Sequence, residues 1–190
     1  MKEKFLRQYF SYRGRAVGFR CDEVRLPGKK TAWREYLTHP GAVAIIPFLD
    51  HPGRVPLRLA RVAMVEQFRY PVGRLTEELP AGKLDAGERL AGCLARELKE
   101  ETGYTGGKFH KLLSYWPTPA FSQELIHIYW AVGLRSGKSR PDEDEFLRVR
   151  IDRFGDLLRK IRDGRIRDSK TVIGILAFAQ YFKVSSGTGR

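Results

Sequence analysis

Residues 82–104 constrain the fold of this chain more than any other part of its sequence. Five apolar residues in this segment recur at the spacing of one helix face: Leu90, Ala91, Leu94, Ala95 and Leu98. Asp85 or Gly87 is placed to cap the start of such a helix, and Gly103 is placed to end it. The pattern predicts a turn that begins near Pro80, followed by an amphipathic helix over about residues 87–102.

Two glutamates of this helix, Glu97 and Glu101, project from the same side because they are four residues apart. At about 100° per residue, they fall at the margin of the apolar face. A poorly solvated carboxylate must be paired, protonated or bound to metal. The alternative is an ordinary exposed helix, on which Arg96 pairs with Glu100. The turn and the helix-ending glycine favour a cation site, and carboxylate oxygens suit Mg²⁺ or Mn²⁺.

The segment also matches the pattern G-x5-E-x7-R-E-U-x-E-E-x-G-U, in which U is a bulky aliphatic residue. The matching positions are Gly82, Glu88, Arg96, Glu97, Leu98, Glu100, Glu101 and Gly103. Only Tyr104 departs, as an aromatic residue where an aliphatic one is usual. So many constrained positions at fixed spacing form a specific motif. The chain therefore resembles the Nudix hydrolases.

Composition and charge narrow the function classes. The 190 residues carry a net charge of +13, with ten Lys and Arg against four Asp and Glu in residues 1–40. No basic helix or aromatic platform accompanies this charge, so we expect no nucleic-acid partner. No apolar run reaches the roughly 18 residues that span a bilayer, so we expect no membrane insertion. Two cysteines without C-x-x-C spacing favour a reducing, cytoplasmic location.

Hydrophobic patterning predicts strands that precede and follow the motif, and two helices at the end of the chain. The predicted strands are 15–26, 31–38, 41–49, 58–68, 109–116, 125–134 and 146–151, and the later helices are 152–163 and 169–182. This order predicts an α+β fold. The resemblance makes it an α/β/α sandwich with a mixed sheet and an N-terminal β-hairpin appendage. We expect an appendage over residues 1–40, a catalytic domain over 41–184 and a tail over 185–190.

Flanking motifs resemble one branch of the family, the ADP-ribose pyrophosphatases. Residues 65–70 and 78–82 look like its approach to the motif, and Pro119 occupies its marker position. Residues 142–145 and 166–171 resemble its late acidic loop and the start of its final helix. The branch implies Mg²⁺-dependent hydrolysis of ADP-ribose to AMP and ribose 5-phosphate. Departures at Ala120 and Gln123 leave two alternatives, another nucleotide sugar such as GDP-mannose, or a nucleotide-sensing module that does not cut.

The family resemblance also implies roles at the metal. Glu97, Glu101 and the backbone carbonyl of Ala81 would be ligands, and Mn²⁺ could replace Mg²⁺. Glu100 would bind metal directly or through water. Arg96 would orient the glutamates by ion pairing.

The branch resemblance implies a second set of roles, some of them outside the motif. Glu143 would be the general base, with Glu124 as the alternative, and Glu145 would be a further metal ligand. The residues that would bind substrate are Arg34, Arg69, Glu78 and Glu124. The first of these would reach the nucleotide from a second subunit, so we expect a homodimer in which residues 1–40 are exchanged. Arg69 would clamp phosphate, since a guanidinium matches phosphate bidentately.

Overall fold

The computed structural model describes residues 1–14, 17–140 and 146–187, with side chains in the last helix as far as residue 183. Its strands are β1 (Lys4–Arg13), β2 (Gly18–Arg25), β3 (Thr31–Thr38), β4 (Ala42–Pro47), β5 (Arg61–Arg69), β6 (Arg74–Glu78), β7 (Ala81–Lys83), β8 (Lys108–Tyr115), β9 (Ile126–Val132) and β10 (Leu147–Arg153). Its helices are α1 (Leu90–Thr102), α2 (Phe154–Arg162) and α3 (Ser169–Gly187). The chain divides into two compact units.

The smaller unit comprises Met1–Gly41 and Tyr115–Ile126. The antiparallel strands β1, β2 and β3 form its sheet, in that order. The second segment joins this sheet through Leu37, whose N–H donates to Phe121 O at 2.8 Å and whose carbonyl accepts from Gln123 N at 3.2 Å. The predicted hairpin of β2 and β3 is thus present, and β1 is an additional strand on its edge.

The larger unit comprises Ala42–Ser114 and His127–Arg190. One of its sheets has the order β10-β5-β6 and is antiparallel, and the other has the order β7-β4-β9-β8. The sheets and the three helices confirm the predicted α+β fold. No helix in the described part of the chain combines the length and apolar character needed to traverse a bilayer.

The core of this unit lies on both sides of β4, whose residues are all buried. On one side Val43 and Ile45 pack with Leu94 and Leu98 of α1. Three rings, Phe48, Phe154 and Phe178, form an aromatic cluster with centroids 4.8–5.8 Å apart. Of the apolar face predicted for α1, Leu94 and Leu98 are buried and Leu90 packs against them, whereas Ala91 and Ala95 are exposed. The buried face is therefore rotated toward Cys93, Glu97 and Glu101.

Helix α1 begins later than predicted and without the predicted cap. Its N-cap is Arg89, which makes no side-chain capping bond. Asp85 and Gly87 instead belong to the preceding turn, in which Glu88 N donates to Asp85 O at 3.0 Å and Gly87 has φ of +79°. Gly103 ends the helix as predicted, with φ of +76° and its N–H on Lys99 O at 2.9 Å.

The other predicted elements form, with shifts at their ends. The strand predicted from residue 58 begins at Arg61, because Leu57–Leu59 is a 3₁₀ turn. The last helix continues to Gly187, beyond the predicted end at residue 182. Strand β6 precedes the motif and β7 contains its first glycine. Neither strand was predicted, and both contribute to the site.

Candidate active site

Two glutamates of α1 are buried at the edge of the core. Glu97 is 8% exposed and Glu101 is 3% exposed, which agrees with their predicted position at the margin of the apolar face. Burial of a carboxylate costs free energy unless its oxygens gain partners. The main-chain N–H of Ala81 donates to Glu101 Oε2 at 2.9 Å, so β7 supplies one such partner.

Arg96 is the centre of the acidic group on α1. Its Nε and Nη2 donate to Glu88 at 3.0 and 2.9 Å. Its Nη1 donates to Glu97 at 2.6 Å and to Glu100 at 3.1 Å. Nη2 also donates to the carbonyl of Lys83 at 3.1 Å. One guanidinium thus contacts three carboxylates and the turn before the helix. That Arg96 orients the glutamates for a metal stays a prediction.

Gly82 lets the Glu97 carboxylate lie against the backbone of β7. A Cβ at residue 82 would lie 1.9 Å from Glu97 Oε1 and 2.0 Å from its Cδ. Such distances are far inside van der Waals contact. A side chain at this position would therefore have to displace the Glu97 carboxylate from the strand.

The charges of this group shift the pKa values of its members. Hydrogen bonds from Arg96, together with the N–H of Asp85, hold the pKa of Glu88 at about 2. The same bond to Glu88 raises the pKa of Arg96, and the charge of Glu97 raises it further. Burial, followed by the neighbouring glutamates, raises the pKa of the Cys93 thiol to about 12. Glu88 is therefore ionised and Cys93 is protonated at neutral pH.

The donor set on α1 has the chemistry of a divalent-cation site. Glu88 in the turn before the helix and Glu97, Glu100 and Glu101 on it carry four formal negative charges, and Arg96 carries one positive charge. Among the residues whose positions are described, no three His, Cys, Asp or Glu side chains converge as a ready-made metal cluster. The carboxylates are turned to Arg96 and to the Ala81 N–H. Oxygen donors with excess negative charge fit Mg²⁺ or Mn²⁺.

A second ionic group surrounds Glu78, at the end of β6. Glu78 is 1% exposed. Its carboxylate accepts from Arg69 Nε and Nη2 at 2.8 and 2.7 Å, from Thr76 Oγ1 at 2.6 Å, and from Lys170 Nζ. Burial alone would raise the pKa of Glu78, but the bonds from Arg69, Lys170 and Thr76 hold it at about 2. Glu78 is thus an anion enclosed by two cations.

The start of α3 is fastened to this group. Asp168 Oδ1 accepts from Lys170 Nζ at 2.9 Å. Asp168 Oδ2 accepts from the N–H and the hydroxyl of Thr171 at 3.0 and 2.6 Å. The Thr171 hydroxyl in turn accepts from Leu79 N at 2.8 Å. The N-terminal turn of α3 is therefore bound to the chain segment that joins β6 to β7.

Glu78 and its ionic partners border a cavity of about 670 Å³. Its lining is Arg69, Pro71, Val72, Arg74, Thr76, Glu78, Arg167, Asp168 and Lys170. Four of these side chains are cations and two are anions, so the lining carries a formal excess of two positive charges. The pKa of Arg69 is raised first by its bond to Glu78 and also by the charges of Asp168 and Glu101. The cavity is linked to the α1 acids because Glu78 is three residues from Ala81, whose N–H donates to Glu101. A cavity of this size and charge suits an anionic small molecule.

The resemblance of residues 166–171 to the start of the family's final helix does not single out Lys170 or Asp168. The sequence therefore predicts no role for the α3 residues of this cavity. Lys170 binds a residue 92 positions earlier in the chain, so no local spacing could have connected the two. The motif itself was the only available signal.

The remaining predicted site residues belong to the smaller unit or fall outside the described residues. Arg34 is in the smaller unit, where its Nε donates to Glu3 at 2.9 Å. Glu124 is in the same unit, with Oε1 at 3.7 Å from His39 Nδ1. Glu143 and Glu145 lie outside the residues that the structure describes. Their roles therefore stay predictions.

Comparison with known proteins places this geometry in context. A family model described as the NUDIX domain matches residues 38–172. A protein of Bacillus methanolicus named methanol dehydrogenase activator is 38% identical over 176 residues, 92% of this chain and 91% of that protein. ADP-ribose pyrophosphatase of Bacillus subtilis (strain 168) is 34% identical over 177 residues, again 92% and 91%.

A solved structure has the same fold. It is described as the crystal structure of ADP compounds hydrolase, with a TM-score of 0.82 and 19% sequence identity over 100% of this chain and 97% of that one. The resemblance that residues 82–104 and their flanking motifs predicted is confirmed by these matches.

Proposed function

The chain belongs to the NUDIX domain family, and from this premise we propose that it hydrolyses the pyrophosphate bond of ADP-ribose to AMP and ribose 5-phosphate with Mg²⁺. One observation carries the proposal. The acid-rich group of α1, which suits a divalent cation, is connected through Ala81 and Glu78 to a cavity of about 670 Å³ with an excess of positive charge. A pyrophosphate bridge between two sugars is an anion, so its hydrolysis needs both a divalent cation and a positively charged binding cavity. The relative named ADP-ribose pyrophosphatase supports the choice of substrate.

The metal ligands that we propose are Glu97, Glu101 and the carbonyl of Ala81, with Glu100 bound directly or through water and Glu145 from the late loop. When bound, Mg²⁺ neutralises phosphate oxygens and lowers the pKa of a coordinated water. Arg96 keeps the carboxylates oriented before the cation arrives, because it donates to Glu97 and Glu100 from one nitrogen. Gly82 allows Glu97 to remain beside β7.

Arg69 is the residue that we propose for the phosphate clamp. Its Nε and Nη2 edge is occupied by Glu78, and 44% of its side chain is exposed at the cavity. A guanidinium has five N–H donors, so donors beyond the two that face Glu78 can serve phosphate oxygens. Glu78 is enclosed, and we propose that it assists substrate binding by holding Arg69 in place.

The general base that we propose is Glu143, because the glutamates of α1 are committed to the cation and to Arg96. A carboxylate that binds a cation is a poor proton acceptor, since the cation lowers its pKa. We expect Glu143→Gln to lower kcat strongly while metal and substrate affinities stay nearly unchanged. An active Glu143→Gln enzyme beside an inactive Glu124→Gln enzyme would assign the base to Glu124 instead.

We also propose a homodimer in which residues 1–40 exchange, with Arg34 reaching the nucleotide of the partner subunit. The sheet of the smaller unit supports this, because Tyr9 and Trp33 form an aromatic pair at 4.9 Å and both are exposed. Light scattering on the full chain should give twice the monomer mass. A monomer that keeps full substrate affinity would rule the exchange out. Free, buried Cys21 and Cys93 support a reducing, cytoplasmic location.

The substrate is tested by incubating the chain and Mg²⁺ with a panel that includes ADP-ribose and GDP-mannose, and separating the products by chromatography. We expect AMP and ribose 5-phosphate from ADP-ribose at the highest kcat/KM. In ¹⁸O-labelled water, the label should enter one phosphate product only. A higher kcat/KM for GDP-mannose would change the substrate while preserving the reaction. Binding of ADP-ribose without any cleavage would favour the nucleotide-sensing module.

A second candidate function comes from the relative named methanol dehydrogenase activator. The chain would then raise the activity of an alcohol dehydrogenase. The test is the rate of a methanol dehydrogenase with and without this chain. Repeating it with Glu97→Gln separates activation that needs hydrolysis from activation by binding.

A further inference from the structure

Lys170 is a buried cation to which the proposed reaction assigns no role. It is 9% exposed, at the start of α3. Its ammonium group donates to Glu78 Oε2 and, at 2.9 Å, to Asp168 Oδ1. It also borders the cavity that Arg69 lines. A buried lysine with two carboxylate partners beside a proposed substrate cavity needs an explanation beyond solubility.

The partners form an alternating row of charges, Arg69, Glu78, Lys170 and Asp168. Glu78 sits between the two cations, so its single negative charge is shared by them. If Lys170 were absent, Arg69 alone would compensate the buried carboxylate. The field that Arg69 presents to the cavity would then be largely cancelled by Glu78.

We propose that Lys170 is a positioning residue for substrate binding, which acts through Glu78 by compensating its charge and so leaving the Arg69 guanidinium effective toward the pyrophosphate. This inference rests on the proposed function. Lys170 itself does not contact the substrate in this scheme, and its effect requires the Glu78 carboxylate.

The anchoring of α3 keeps Lys170 at the required place. Asp168 accepts from both Lys170 and Thr171, and Thr171 is fully buried where it receives the Leu79 N–H. Leu79 directly follows Glu78 in the chain. The same turn of α3 therefore fixes the lysine and the segment that carries its carboxylate partner.

The chain contains a matched control in Lys160 of α2. Lys160 is 7% exposed and also binds two carboxylates, Glu77 and, at 2.9 Å, Asp152. Its partner Glu77 precedes Glu78 in β6, yet Lys160 does not border the cavity. Lys160→Met and Lys170→Met remove the same chemical group from the same kind of pair, so both should lower the melting temperature.

The test compares KM for ADP-ribose, kcat and melting temperature in Lys170→Met and Lys160→Met. We expect Lys170→Met to raise KM by about tenfold or more, because removal of one partner leaves an undercompensated buried charge. We expect kcat to change by less than about twofold, since the lost effect acts on binding. Lys160→Met should keep the KM of the unaltered chain. An unchanged KM in a folded Lys170→Met enzyme would overturn the proposal.

A double-mutant cycle with Glu78→Gln separates an indirect effect from direct contact. If Lys170 acts through Glu78, adding Lys170→Met to Glu78→Gln should change KM by less than about twofold. If Lys170 touches the substrate, the full loss should persist without the carboxylate, and the proposal is wrong. Lys170→Arg, which keeps the charge, should retain most of the affinity.

Failure of the proposed function is distinguished by the unaltered chain. Absence of AMP release from ADP-ribose by the unaltered chain with Mg²⁺ would reject the proposed substrate, and the effect of Lys170 on anion binding would then be measured directly. Calorimetry with inorganic pyrophosphate in EDTA then gives dissociation constants for the same variants. The proposal is supported if Lys170→Met raises the dissociation constant for pyrophosphate in the unaltered chain but does not raise it further in Glu78→Gln. Equal constants in the unaltered chain and Lys170→Met reject it.

Discussion

The acidic group of α1 and the ionic group around Glu78 use the same interaction in opposite proportions. On α1, one guanidinium serves three carboxylates, since Arg96 donates to Glu88, Glu97 and Glu100. At β6, one carboxylate is served by two cations, since Glu78 accepts from Arg69 and Lys170. The first group is left with excess negative charge, and the second borders a cavity with excess positive charge.

The difference shows what each group lacks. The acids around Arg96 outnumber that cation and favour a bound metal ion, whereas the cation-lined cavity favours an anion. The two groups are joined by the chain itself, because Glu78 and Ala81 are three residues apart and Ala81 N donates to Glu101. A Mg²⁺-bound pyrophosphate is one species that satisfies both. Substitutions on the two sides should therefore have different kinetic signatures, kcat on α1 and KM at the cavity.

The largest expected effect is on α1. We expect Glu97→Gln and Glu101→Gln each to lower kcat by about 100-fold or more, because each removes a charged oxygen ligand from the proposed metal site. AMP release from ADP-ribose at saturating Mg²⁺ is the measurement, and circular dichroism checks the fold. Asp156→Asn, which removes an exposed partner of Arg159 on α2, is the control and should keep full activity.

Near-normal turnover in either glutamine variant would show that the α1 acids do not hold the cation. The comparison would then lose its first half, and the excess negative charge of α1 would be a structural feature only.

The α1 site could be predicted from sequence because its geometry is local. The spacing of Glu97, Glu100 and Glu101 is fixed by one helix, so the sequence determines which side chains share a face. The group around Glu78 is different. Lys170 reaches Glu78 across 92 positions, and only the packing of α3 brings them together. Spacing within the sequence has no information about such a contact.

The missed elements of the fold have a similar cause. Strand β7 has three residues, Ala81–Lys83, and forms because β4 pairs with it, so it lacks a hydrophobic period of its own. Strand β1 is exposed along nearly its whole length and shows no alternation of buried and exposed residues. The predicted cap at Asp85 or Gly87 was wrong because the turn that holds Glu88 for Arg96 occupies those residues.

The next effect tests the close packing at Gly82. We expect Gly82→Ala to lower kcat by about 10- to 100-fold, since a Cβ there would displace the Glu97 carboxylate and small misplacements of catalytic groups are costly. Gly92→Ala is the matched control, because its Cβ would meet Glu88 only at an ordinary 3.8 Å. Kinetics of both enzymes with ADP-ribose check this. Equal activity in the two variants would mean that the position of Glu97 is unimportant.

A smaller effect is expected when the Arg96 guanidinium is replaced by another positively charged group. We expect Arg96→Lys to lower kcat by about tenfold, because one ammonium group cannot reproduce the fork that holds Glu88, Glu97 and Glu100 together. Excess Mg²⁺ should not restore the rate fully. The control is Arg159→Lys, on an exposed pair with Asp156. If Arg96→Lys behaved like this control, charge alone would suffice at α1.

The last prediction concerns stability in acid, not turnover, and the Glu78 group should contribute to it whereas a surface pair should not. The pKa of Glu78 is lowered from its ordinary 4.5 to about 2. Since the folded pKa is depressed, its stabilisation is fully present above pH 4.5 and is lost as pH falls toward 2. Two and a half pKa units correspond to about 3 kcal/mol. Between pH 6 and 3, the unaltered chain should therefore lose more unfolding free energy than Glu78→Gln.

Asp50 provides the comparison, because bonds from Arg61 also lower its pKa to about 2 although the pair lies at the surface. Solvent screens an exposed pair, so Asp50→Asn should follow the acid profile of the unaltered chain within about 1 kcal/mol. Urea unfolding at several pH values gives both profiles. Parallel profiles for Glu78→Gln and the unaltered chain would mean that Glu78 has the same pKa folded and unfolded. Its enclosure by Arg69 and Lys170 would then be electrostatically neutral, and the contrast between the two ionic groups would rest on kinetics alone.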